Sequence, residues 1–153
     1  MRLLLFLLLP FLALPTAAQD AAAPDPPAYD AALAERLGGD DYGMRRYVLA
    51  LLRPGPNRDQ DSTTAAALQR AHMANIARMA ESGDLVLAGP FLGGDYQGLY
   101  VFDVATVEEA RALTETDPAV EAGRLVMELH PWYGSAALRE VNALHQRIMR
   151  EQP

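Results

Sequence analysis

The 153-residue chain contains no cysteine and no lysine. The lack of cysteine excludes disulfides, thiolate metal ligands, a thiol nucleophile and attachment of haem or lipid through sulfur. An oxidising compartment therefore imposes nothing on the fold. All 13 basic residues are arginine, against 20 Asp and Glu, for a formal charge of −7. An acidic chain without a basic run suits a phosphate backbone poorly, so no nucleic-acid partner is expected. His72, His130 and His145 show neither His-x-His nor His-Glu-x-x-His spacing, so no metal site is expected. No Gly-x-Gly-x-x-Gly or phosphate loop occurs, and no cofactor is expected. Ser62, Ser82 and Ser135 lack the strand-turn-helix context of a nucleophilic serine.

Half of the residues are apolar. That suits one compact domain, and the length excludes a second catalytic one. Residues 1–18 read as a secretory signal. Met1-Arg2 is the positive end, Leu3 to Leu14 the apolar core, and Pro15-Thr16-Ala17-Ala18 the small-residue cleavage region. The apolar run is about a dozen residues, short of the ~20 that span a bilayer, so cleavage is favoured over a membrane anchor. Cleavage removes Arg2 and no acid, moving the formal charge from −7 to −8. The expected destination is a bacterial periplasm or the exterior, with no stable membrane insertion after cleavage.

Residues 19–43 read as a linker rich in Ala, Pro and Asp. Tyr29 to Leu37 offers a short helix closed by Gly38-Gly39, poorly ordered or loosely docked. Tyr47 to Leu52 reads as a buried strand, stopped by Pro54-Gly55-Pro56. Asp61-Ser62-Thr63-Thr64 supplies caps for a long helix that ends at Gly83. Leu68, His72, Ile76 and Met79 share one face of it, and Arg70, Arg78 and Glu81 lie largely away. Leu85 to Ala88 and Leu99 to Asp103 form a predicted hairpin. Thr106 and Glu109 spell a capping box for a second helix, which Asp117-Pro118 interrupts. Arg124 to Leu129 is a fourth strand, ending in His130-Pro131-Trp132-Tyr133. An amphipathic helix then carries Leu138, Val141, Leu144, Ile148 and Met149. The order β-α-β-β-α-β predicts an α+β, ferredoxin-like fold with a four-stranded antiparallel sheet and a C-terminal helix. The domain reads as residues 44–133 and the tail as 134–153. One sheet face needs cover beyond the tail helix, which favours a homodimer.

His72 is the first candidate for chemistry. An inward histidine is a natural proton carrier, or else a half-buried residue bonded to a carbonyl. Asp117 is the second. It could orient a histidine, and Asp before Pro is also a plain helix cap. The two roles are compatible, because a carboxylate has two oxygens. Gly89-Pro90 either lets backbone approach a ligand or simply ends a strand. Trp132, within the His130–Tyr133 run, either lines an aromatic pocket or packs against the tail helix or a partner. Arg53 and Arg58 flank the Pro-Gly-Pro loop and either hold an anion or face water.

Arg70-Ala-His72-Met, Leu85-Val-Leu-Ala-Gly-Pro90, Gly98-Leu-Tyr-Val-Phe-Asp103, Glu108-Glu-Ala110 and Thr116-Asp-Pro-Ala-Val-Glu-Ala-Gly-Arg124 occur in that order. Together they resemble the YCII-related domain family, over about Arg45 to Tyr133. His130-Pro131-Trp132-Tyr133 resembles a subgroup of it. The resemblance implies a ferredoxin-like fold of the dimeric α/β-barrel superfamily, in which the sheets of two subunits face each other. It also implies a His–Asp active-site pair, at positions His72 and Asp117. The family's chemistry is largely unassigned. A few relatives are linked to breakdown of chlorinated aromatics, and the superfamily includes muconolactone isomerases and cofactor-free oxygenases. Most members look cytoplasmic, so the export signal is a departure.

Three functions follow as expectations. The first is isomerisation, elimination or proton transfer on a small organic molecule. His72 and Asp117 would be catalytic, with Gly89, Pro90, Trp132 and Arg53 binding substrate. The second is a small-molecule binding module without turnover. The third is a structural dimer of the cell envelope. The last is disfavoured, because burying two polar side chains costs stability unless they are paired or used.

Overall fold

The computed structural model describes residues 28–151. The predicted leader and residues 19–27 of the linker lie outside them. The elements are α1 (Ala31–Leu37), β1 (Met44–Pro54), α2 (Ser62–Ser82), β2 (Leu85–Pro90), β3 (Gly98–Phe102), α3 (Val107–Thr114), the one-turn α4 (Pro118–Glu121) and β4 (Leu125–Ser135). A 3₁₀ turn (Ala136–Glu140) and α5 (Val141–Ile148) close the chain.

Local chemistry sets most of these boundaries. Asp61 caps α2 by accepting the backbone N–H groups of Thr63 and Thr64, and Gly83 ends it at φ +84°. That left-handed conformation favours glycine. Thr106 and Glu109 close a reciprocal capping box on α3. Asp117 caps α4, with Pro118 in its first turn.

The sheet order is β2-β3-β1-β4, antiparallel throughout. Val48, Ala50 and Leu52 of β1 and Tyr100 and Phe102 of β3 face the helices. There they meet Met79 and Ala110, with Leu125, Met127 and Leu129 of β4 alongside. The other face is thinly covered. Tyr47, Val86 and Val101 are buried there with Leu138 of the 3₁₀ turn packed nearby. Leu49, Leu51, Leu87 and Leu99 stay half-buried.

Three segments differ from their sequence reading. First, β4 does not end near Leu129. It pairs with β1 from Leu125 to Ser135. Proline cannot donate to a ladder, but β4 is an edge strand, where Pro131 is tolerated. Second, residues 31–43 are docked rather than loose. Asp30 caps α1, Gly38 closes it, and Leu37 is buried. Arg36 pairs with Glu140, and the Arg45 side chain donates to the Leu37 carbonyl. Third, Leu138 lies in the 3₁₀ turn, and α5 buries none of its residues. It is held by polar contact, with the Asn142 amide donating 2.7 Å to the Leu85 carbonyl.

Candidate functional site

The site is built from three elements on the helix side of the sheet. Among the residues of α2, His72, Asn75 and Met79 are buried. Beneath His72 lies Tyr100, whose cross-strand neighbours are Ala50 on β1 and Ala88 on β2. Two small neighbours leave space for a tyrosine ring and an imidazole above it. The Asp-Pro turn delivers the carboxylate, because the cap geometry turns Asp117 inward, where it is fully buried.

Asp117 Oδ2 lies 2.6 Å from His72 Nδ1, and Asp117 Oδ1 accepts the Ala119 N–H at 2.8 Å. The Tyr100 hydroxyl lies 3.3 Å from His72 Nε2. A carboxylate only accepts, so Nδ1 carries the proton toward Asp117, and in the tautomer with Nε2 unprotonated that nitrogen offers its lone pair. The Tyr100 hydroxyl donates to that lone pair. Burial, followed by the negative charge of Asp117, pushes the Tyr100 hydroxyl well above the ordinary tyrosine value. It therefore holds its proton. The result is a hydrogen-bonded chain, Tyr100 to His72 to Asp117.

A second polar layer supports the turn. Asn75 Oδ1 accepts from Arg78 at 2.8 Å, and the same guanidinium reaches the Thr116 hydroxyl at 2.9 Å. The residue before Asp117 is thus tied to α2. Arg78 was expected to lie away from the helix's functional face. It is exposed, yet it reaches back along α2 to make this tie. The Asn75 Nδ2 group is buried and has no partner among the described residues.

Tyr100 and Asn75 were both missed from sequence. Tyr100 sat inside a quoted strand motif, but its contact with His72 depends on where β3 lies under α2. The position of Asn75, three residues after His72 on the same helix face, was the available signal.

The four predicted binding residues do not gather at this pair. Arg53 faces away from the helices, pairs with Glu128 at 2.9 Å and lies over the Tyr96 ring. Trp132 is on the same open face and packs against Tyr47, with ring centroids 5.8 Å apart. Gly89 and Pro90 are exposed on edge strand β2 and line a cavity of about 180 Å³ with Leu87, Phe91 and Leu99. A side chain at Gly89 would meet nothing, so packing does not demand glycine there. A larger cavity of about 460 Å³ is lined by Arg46, Tyr47, Ala105, Pro131, Trp132 and Tyr133. Neither lining includes His72, Asp117 or Tyr100. His130 and His145 are exposed, and no group of three metal-ligating side chains occurs among the described residues.

The model of the YCII-related domain matches residues 47–133, more than half of the chain. The chain belongs to the YCII-related domain family. The matched segment begins within β1 and ends within β4, so α1, the 3₁₀ turn and α5 lie outside the match. No curated protein matches the chain. Among solved structures, it is similar to 5-chloro-2-hydroxyhydroquinone dehydrochlorinase from Burkholderia phenoliruptrix in complex with 2,5-dihydroxybenzoquinone. The identity is 19%, the match covers 56% of this chain and 92% of that one, and the TM-score is 0.42.

Proposed function

We propose that this YCII-related protein performs acid–base chemistry on a small organic molecule, with His72 as the proton carrier. The carrying observation is the 2.6 Å contact between His72 Nδ1 and Asp117 Oδ2, which leaves Nε2 as the working nitrogen. Asp117 holds the tautomer and balances charge when the ring takes a proton. Tyr100 occupies Nε2 in this state and is the group a substrate displaces or shares. A hydroxyl that keeps its proton is also suited to steady a developing oxyanion. Isomerisation, elimination and simple proton transfer all need this equipment and no more. Arg53, Gly89, Pro90 and Trp132 lie apart from the pair, so the reading rests on His72, Asp117 and Tyr100.

The test is hydrogen–deuterium exchange by NMR on a panel of small carbon acids and hydroxylated aromatics in D2O. A positioned histidine contributes about 10²–10⁴-fold, so His72→Ala should lose at least about a hundredfold in rate on any active compound. Loss of less than about tenfold would sink the proposal.

Closure of the pair favours a second reading, ligand binding without turnover. The His72 side chain is 10% exposed and that of Asp117 not at all. On that reading His72→Gln retains the ligand and mass spectrometry finds no product.

Two further expectations belong to the proposal. The thinly covered sheet face, with Val126 at 43% exposure beside half-buried leucines, supports pairing with a second copy. Sedimentation at micromolar concentration tests it, and a strict monomer opposes it. The export reading of residues 1–18 predicts a mature N-terminus after Ala18, which intact-mass measurement checks.

A further inference from the structure

We propose that Arg78 is a positioning residue for the His72–Asp117 pair: its guanidinium fixes the Asp-Pro turn against α2 and so sets the distance from Asp117 to His72 Nδ1. The consequence for rate rests on the function proposed above, whereas the positioning is read on the imidazole itself, without substrate.

Two polar ties join α2 to the turn at neighbouring positions. The inner one is the buried 2.6 Å contact of Asp117 with His72. The outer one links Thr116, the residue before, to Asn75, one helical turn along the same face of α2. Arg78 closes it. Its Nη2 donates one N–H to Asn75 Oδ1 at 2.8 Å and the other to the Thr116 hydroxyl at 2.9 Å, and its Nε donates to the same Asn75 oxygen at 3.3 Å. The Thr116 hydroxyl has one proton, and it stands closer to the Leu113 carbonyl, at 2.7 Å, than to Asn75 Oδ1, at 3.2 Å. With that proton on Leu113, both oxygens of the outer tie are acceptors, and the guanidinium is the donor that joins them.

Asp117 depends on that joint. Its short side chain has few torsions with which to follow a displaced backbone, and one of its oxygens is already committed to the Ala119 N–H. An acid–base group works only within about 0.5 Å of its productive geometry, and the hydrogen bonds around it supply that precision. The inner tie is closed to water, whereas Arg78 and Thr116 are exposed. Replacing either of them loosens the turn without opening a hole in the core. The Asn75 side chain is buried, so its replacement would mix packing with position, and the test leaves it in place.

The readout is the NMR signal of the His72 Nδ1–H, in the chain isotope-labelled at histidine nitrogen and assigned by its loss in His72→Gln. A proton held against a buried carboxylate is deshielded and exchanges slowly with water. Arg78→Ala and Thr116→Val should each speed that exchange at least about tenfold. Thr116→Val keeps the charge of Arg78, which separates position from charge. Thr116→Ser keeps the hydroxyl and should match the unsubstituted chain, as should Arg147→Gln, an exposed change on α5. On any compound that His72 turns over, Arg78→Ala should lower kcat at least about tenfold and leave KM in place, because a shift of about 1 Å can cost about 10²-fold. Unchanged exchange in Arg78→Ala or in Thr116→Val overturns the proposal. So does equal acceleration in Thr116→Ser or in Arg147→Gln. The expected pattern of exchange together with full activity in His72→Ala would remove the proposed function and leave the positioning standing. Unchanged exchange together with a large loss in His72→Ala would do the reverse.

Discussion

Asp117 uses its two carboxylate oxygens for two different tasks, capping the turn at Ala119 and taking the Nδ1–H of His72. The helix cap and the candidate site are therefore one structure. Removing the side chain should cost both interactions. Asp117→Ala is expected to lose about 2–4 kcal/mol, the sum of a cap and a charge-assisted buried hydrogen bond. Asp117→Asn keeps a capping oxygen and should lose about 1 kcal/mol. Urea unfolding checks this, and a cost below about 0.5 kcal/mol for Asp117→Ala would contradict it.

The alkaline stability limit should depend on Tyr100. Its folded value is raised above the ordinary 10.0, mainly by burial. Below pH 10 both folded and unfolded chains hold this proton. Above pH 10 the unfolded chain releases it and the folded chain does not, so stability falls as pH rises. Tyr47 shifts the same way through burial, and Tyr133 through its bond to Asp40. No lysine titrates in this window to obscure the effect. Unfolding midpoints from pH 9 to 11 should fall less steeply in Tyr100→Phe, by up to about 1.4 kcal/mol per pH unit. Identical slopes would place the effect elsewhere.

The segments that flank the sheet, α1 and the 3₁₀ turn, are held to the domain through Asp103. Its carboxylate contacts Arg45 at 2.7 Å and Arg139 at 2.9 Å, and its side chain is 7% exposed. Those arginines also donate to the Leu37 and Arg36 carbonyls of α1. Asp103→Ala should cost about 2–4 kcal/mol, because it leaves two guanidinium groups without their carboxylate. Arg139→Ala, at a more exposed end of the cluster, should cost at most ~1 kcal/mol. Hydrogen exchange at Ala31–Leu37 should accelerate in both. Unchanged protection there would show that α1 is held by Leu37 alone.

Two glycines should respond differently to a methyl group. At Gly55 an added Cβ would lie 2.2 Å from the Gly123 carbonyl oxygen, and backbone must move. At Gly134 the nearest atoms belong to the outer ring of Trp132, a side chain that can swing away. Gly55→Ala should cost about 1–3 kcal/mol, and Gly134→Ala should cost less while shifting tryptophan emission to the red. An unshifted spectrum in Gly134→Ala would mean that the indole keeps its seat.

What the sequence by itself determined was local. Asp61 and Gly83 bound α2, Thr106 and Glu109 open α3, Asp117-Pro118 starts a turn, and Gly38 stops α1. Each signal acts within about four residues, the reach of a capping hydrogen bond. The apolar run Tyr47 to Leu52 likewise marked a buried strand within β1. His72 and Asp117 were legible as candidates because residue type and position stand out in one dimension.

Tertiary structure decided what meets across the sheet and between elements. Tyr100 reaches His72 from 28 positions away, and Arg78 joins Asn75 to Thr116 across 38 or more. The extension of β4 through Pro131 depends on its lying at an edge, a fact of strand order rather than of composition. The same holds for Arg53 and Trp132, which pairing and pleat place on the face away from His72. A side chain's partner across a sheet is set by register, and register is fixed only when all four strands have closed around a common core.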